Sequence, residues 1–145
     1  SPSVLKGLAS EGLIDYIAMD VKGPIERYDK WCGVEVDRKK IEESIRFIME
    51  GTVAYEFRMT VVPGMHHEDD IYQVAEYLRA SDKFFLQEFK PRKCLDPSYL
   101  DVRPFSRDVF ERISRNVQKI RVTGIKPEER VVKFREKKTK IKTST

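Results

Sequence analysis

The chain has 145 residues, 40% hydrophobic and 36% charged, with a net charge of +4. That length suits about one domain with a buried core. No apolar run approaches the roughly 20 residues of a membrane span, so no membrane role is expected. No signal peptide opens the chain, so the cytoplasm is the expected compartment. The charge is uneven: from Val131 onward six Lys or Arg and one Glu give +5, which leaves residues 1–130 near −1.

In chain order, Leu5, Leu8 and the pair Leu13-Ile14 fall at near-helical spacing, with Pro2 suited to a first turn and Gly12 to a C-terminal cap. A helix therefore feeds the stretch Ile14–Pro24, and a chain starting this way would be the middle of a β/α repeat. That stretch reads as a strand stopped by Gly23-Pro24. Alternation puts Tyr16, Ala18, Asp20 and Lys22 on one face and Ile17, Met19 and Val21 on the other. An Asp-x-Lys pair at a strand's carboxyl end stands where α/β enzymes bind ligands. The plain alternative is a solvated ion pair.

Residues 25–36 form a loop whose Tyr28 and Trp31 make it too aromatic for an idle linker. Asp37 caps a helix with an Ile41, Ile45, Ile48 and Met49 stripe, ended by Gly51. Ala54–Val62 is the second strand, with Tyr55, Phe57, Met59 and Val61 on one face and Glu56, Arg58 and Thr60 on the other. A mid-strand Arg58 demands a partner, an anion or water, because desolvating an unpaired guanidinium costs several kcal/mol. Glu56 or a cross-strand carboxylate is the simplest partner.

His66 and His67, beside Glu68, Asp69 and Asp70, read as the approach to a helix Asp70–Ala80, since adjacent side chains rarely converge on a metal. Lys83–Phe89 is the third strand, followed by a loop with Pro91, Pro97 and Pro104. A helix from Ser106 to Val117, with Phe110 and Ile113 inward, leads to a fourth strand near Ile120–Thr123. The expected fold is α/β: a parallel sheet of about four strands with alternating helices. Four units are too few for a closed eight-stranded barrel, so the sheet is open or part of a barrel. Cys32 and Cys94 lie too far apart for a metal clasp or a cluster site, and read as two buried or half-buried thiols.

Three pieces in order, Ala18-Met19-Asp20-Val21-Lys22 with Pro24, Phe57-Arg58-Met59-Thr60-Val61-Val62-Pro63-Gly64, and Leu86-Gln87-Glu88-Phe89-Lys90-Pro91, resemble the radical S-adenosylmethionine activating enzymes. The match is to the activators of anaerobic ribonucleoside-triphosphate reductase and of pyruvate formate-lyase. The resemblance implies that residues 1–124 are the C-terminal half of a partial TIM-type β/α barrel, with residues 125–145 a basic tail. It implies S-adenosylmethionine as cofactor, a [4Fe-4S] cluster held by a CxxxCxxC loop in the missing N-terminal half, and a glycyl radical enzyme as partner. That loop is absent here, so this chain alone is expected to be inactive.

Residue by residue, Asp20 and Lys22 match the strand-end pair that looks toward cofactor and substrate, and Arg58 the residue expected to hold the cofactor's carboxylate. A bidentate guanidinium on a rigid strand is suited to that task. Gln87 is characteristic of the reductase-activator type and Lys90 falls where some relatives carry a His, and the resemblance makes both candidate cofactor contacts. The competing reading is a non-enzymatic β/α module whose basic tail binds an acidic partner or nucleic acid. Phe134 is the tail's one aromatic, so it lacks stacking platforms, and weak, salt-sensitive phosphate binding is all it supports.

Overall fold

A computed structural model describes residues 1–91 and 101–125; Cys94, Pro97 and the basic tail from residue 126 lie outside them. The sheet has three parallel strands in the order β1 (Tyr16–Asp20), β2 (Ala54–Val61) and β3 (Phe84–Glu88). In register, Asp20 stands opposite Arg58, Arg58 opposite Phe85, and Thr60 opposite Gln87. Alternation along β2 decides what each face does. Tyr55, Phe57, Met59 and Val61 are buried, while Glu56 and Arg58 are half-buried and Thr60 is exposed on the other side.

The apolar face is covered by helices. α3 (Arg38–Glu50) contributes Ile45 and Ile48, α4 (Glu68–Tyr77) contributes Ile71, Val74 and Ala75, and α5 (Arg107–Thr123) contributes Ile113, Val117 and Ile120 to one core with Phe57 and Met59. Each large side chain buried this way stabilises the fold by about 1.5–3 kcal/mol. α1 (Pro2–Ser10) packs on α3, joined by a Lys6–Glu43 ion pair of 2.6 Å. Asp37 caps α3 by accepting the Lys39 N–H, as its sequence predicts.

The expected loop 25–36 is built from a 3₁₀ turn (Ile25–Arg27) and a short helix, α2 (Tyr28–Cys32), that bury Ile25, Tyr28 and Trp31. α4 begins two residues earlier than expected and ends at Tyr77. His67 is its cap, and its N–H donates to the Asp70 carboxylate at 2.9 Å, closing a capping box. The fourth strand expected near Ile120–Thr123 is not formed; those residues are the last turn of α5. Ile113, Val117 and Ile120 recur at helical spacing and are all buried, so packing on α4 overrides the local β-branched composition. Gly124, at φ +71°, ends the helix in a left-handed conformation open to glycine.

The opposite face of the sheet carries Tyr16, Ala18, Asp20, Glu56, Arg58, Thr60, Phe85 and Gln87, and no described helix covers it. Tyr16 is 42% and Phe85 49% exposed there. The architecture is thus α/β with three parallel strands, helices on one side and an open polar-aromatic face on the other.

Candidate functional site

The β1–β2 ladder ends with the Val21 N–H donating to the Arg58 carbonyl at 2.7 Å. Beyond that rung a cleft of about 940 Å³ lies at the carboxyl ends of the strands. Its polar wall is Asp20, Lys22, Thr60, Gln87, Glu88 and Lys90, and its apolar wall includes Trp31, Met65, Phe89 and Phe110. Four of the five residues singled out in the sequence, Asp20, Lys22, Gln87 and Lys90, therefore share one cavity. Two cations beside two carboxylates over aromatic side chains suit a zwitterionic ligand with an apolar ring.

Arg58 is the fifth, and it does not line the cleft. It faces the open side of the sheet, in register with Asp20, and donates through Nε to the Glu56 carboxylate at 2.8 Å. The other oxygen of Glu56 accepts from the Tyr16 hydroxyl at 2.7 Å. The Arg58 bond, with that of Tyr16, holds the Glu56 carboxyl below its ordinary range, while Glu56 raises the Tyr16 hydroxyl. The simplest partner expected for Arg58 is the one it has. This bond is made through Nε, one of several donors of the guanidinium.

Sequence reasoning did not assign the cleft's inner wall, which comes from α2 and the turn after β2. His66 is buried, accepts the Val62 N–H at Nδ1 (3.0 Å) and donates from Nε2 to the Lys22 carbonyl (2.8 Å). Its ring stacks on Trp31 at 4.8 Å, and Trp31 in turn lies against Gly23. The Trp31 Nε1–H is buried without a partner among the described residues. The signals were the two aromatics in a short loop and a histidine three residues past Pro63. His67 caps α4, and no group of three or more possible metal ligands occurs among the described residues. Cys32 is half-buried, and burial pushes its thiol up, away from the thiolate form.

Fold and cleft together define an α/β protein with a mixed-charge ligand cleft at the carboxyl edge of a parallel sheet, where such sheets bind ligands. In sequence, the chain is similar to a Methanocaldococcus jannaschii protein named as a glycyl-radical enzyme activating enzyme, with 30% identity over 102 residues. The match takes in 68% of this chain, which spans 42% of that protein's length. No protein-family model and no solved structure matches the chain. With two cysteines in the whole sequence, the chain's own residues do not fit an iron-sulfur cluster, which takes a larger set of thiolates.

Proposed function

We propose that residues 1–124 are the cofactor- and substrate-facing half of a radical S-adenosylmethionine activating enzyme, with residues 125–145 as a basic appendage. Its partner would be a glycyl radical enzyme of the anaerobic ribonucleotide reductase or pyruvate formate-lyase type. The observation that carries this reading is the convergence of Asp20, Lys22, Gln87 and Lys90 on one cleft in a chain similar to a protein named as a glycyl-radical enzyme activating enzyme.

The donor set of the cleft fits S-adenosylmethionine. Lys22 and Lys90 would hold its carboxylate, Asp20 and Glu88 its amino group and hydroxyls, and the aromatic wall its adenine. When bound beside a reduced cluster, this cofactor supplies the radical that abstracts hydrogen from the partner's glycine. Arg58 stands one pleat before Thr60 of the cleft wall, and in this reading it turns its Nη edge to the carboxylate while Glu56 keeps Nε. The cluster would come from an N-terminal half of a partial barrel. β1 is an edge strand with no partner on its outer side among the described residues, and Tyr16 on it is exposed, as are Val4, Leu8 and Leu13 in the segment that leads to it. A further β/α unit packed there would cover them.

The test is S-adenosylmethionine affinity in a protein extended by that cluster-bearing half. Lys22→Ala and Asp20→Asn each weaken binding at least about tenfold, the range for a lost charge-assisted hydrogen bond. Unchanged affinity in both would remove the cleft from the account.

A further inference from the structure

Past the last rung of the β1–β2 ladder, the backbone of Lys22 is gripped from both sides by buried side chains. Its N–H donates to the Tyr28 hydroxyl at 3.1 Å, and its carbonyl accepts from His66 Nε2 at 2.8 Å. The same imidazole accepts the Val62 N–H at Nδ1. Because Nδ1 accepts, the one proton of the neutral ring resides on Nε2, facing a carbonyl that can only accept. A single tautomer satisfies both bonds. Lys22 and Val62 lie where β1 and β2 have stopped pairing, so His66 supplies a side-chain rung between strand exits that lack a backbone one. The stack on Trp31 and 6% exposure fix the ring's plane.

We propose that His66 and Tyr28 are positioning residues for Lys22: they lock its backbone at the mouth of the cleft so that its ammonium is presented to the ligand, and protonation of His66 releases the lock. This rests on reading Lys22 as a ligand contact. The imidazolium carries hydrogens on both nitrogens, so Nδ1–H meets the Val62 N–H and that bond is lost. Burial opposes this protonation most, Lys30 on α2 opposes it, and Asp70 at the start of α4 favours it, as does the Lys22 carbonyl. The Lys30 ammonium also lies over the Trp31 ring, 4.7 Å from its centroid.

The 145-residue chain is titrated by NMR from about pH 8 to pH 5, following the His66 ring nitrogens, the Val62 amide and the Lys22 carbonyl carbon. All three move with one midpoint, and emission of Trp31, the chain's single tryptophan, falls with them. His66→Gln keeps a donor near Nε2 and exchanges its Val62 amide about tenfold faster, whereas His66→Asn keeps an acceptor near Nδ1 and protects it. If Val62 and Lys22 ignore the His66 titration, the clasp is overturned, and this reading stands even where a variant fails to fold. In the extended protein, Tyr28→Phe and both His66 variants weaken S-adenosylmethionine binding several-fold at saturable loading. Weakening by Lys22→Ala alone overturns the positioning role and spares the proposed function; no effect from Lys22→Ala overturns the ligand reading itself.

Discussion

Asp20 and Arg58 face each other across the β1–β2 ladder on the open side of the sheet, and Glu56, one pleat back on the same strand as Arg58, holds the guanidinium at 2.8 Å. The pair Glu56–Arg58 is therefore a satisfied contact on that face, and only in the proposed function does the rest of the guanidinium serve the cofactor's carboxylate. In the extended protein, Arg58→Ala weakens S-adenosylmethionine binding by about ten- to a hundredfold, the loss expected for a hydrogen bond to a charged group. Its melting temperature falls only modestly, because the Arg58 end of the half-buried pair stays open to water and ion pairs so solvated contribute little to stability. Calorimetric titration and a thermal melt of the same preparation separate the two effects.

Stability should fall on mild acidification, and His66 sets the window. Burial holds its folded imidazole below the ordinary 6.5, so the unfolded chain takes up the proton first. The stability that neutral His66 contributes is complete above about pH 6.5 and is lost as pH falls through the folded value. Glu56, held below its ordinary 4.5 by Arg58, acts in a separate, more acidic window. Thermal melts across the near-neutral range show a declining midpoint in the wild type and a flatter one in His66→Gln.

Gly23 has no room for a side chain. A Cβ built there collides with the indole of Trp31, whose Nε1 lies against the glycine. Gly23→Ala must push Trp31 off His66, at about 1–3 kcal/mol for overpacking. The expected result is a lower melting midpoint with red-shifted emission, since Trp31 is the single tryptophan. A fluorescence spectrum matching the wild type would show that the indole stays in place.

Arg121 shows why the last turn of α5 is a helix. Its guanidinium donates to the Leu78 carbonyl at 3.1 Å, to the Ser81 hydroxyl at 3.0 Å and to the Ser81 carbonyl at 2.7 Å, tying α5 to the turn after α4. Arg121→Ala removes three hydrogen bonds, although the Leu78 carbonyl keeps those from the Ser81 N–H and hydroxyl, and destabilises the fold by about 1.5–3 kcal/mol, measured by urea denaturation. Arg121→Lys recovers part of that, since an ammonium reaches fewer of the three.

Much of this arrangement was legible in the sequence. Alternation in Tyr55, Phe57, Met59 and Val61 placed Arg58 on the open face, and Asp37 and Gly51 bracketed α3. Asp20 and Lys22 at one strand end and Gln87 and Lys90 at another reach one cleft because parallel strands present their carboxyl ends to the same edge. The run Ile120–Thr123 misled because β-branched residues suit either a strand or a helix whose buried face they continue. Only its spacing from Ile113 and Val117 favoured the helix. The roles of His66 and Trp31 were hidden for a different reason. They meet across 35 positions of sequence, and a stack between a one-turn helix and a loop leaves no periodic trace.

In the proposed function this chain supplies one half of a radical S-adenosylmethionine site and no cluster. The decisive measurement is 5′-deoxyadenosine formation under anaerobic reducing conditions, after iron and sulfide reconstitution. The 145-residue chain is expected to form none, because Cys32 and Cys94 are its only thiols. The protein extended by a half carrying a CxxxCxxC loop is expected to form it readily. Robust formation by the 145-residue chain, or none by the reconstituted extended protein, would contradict the account.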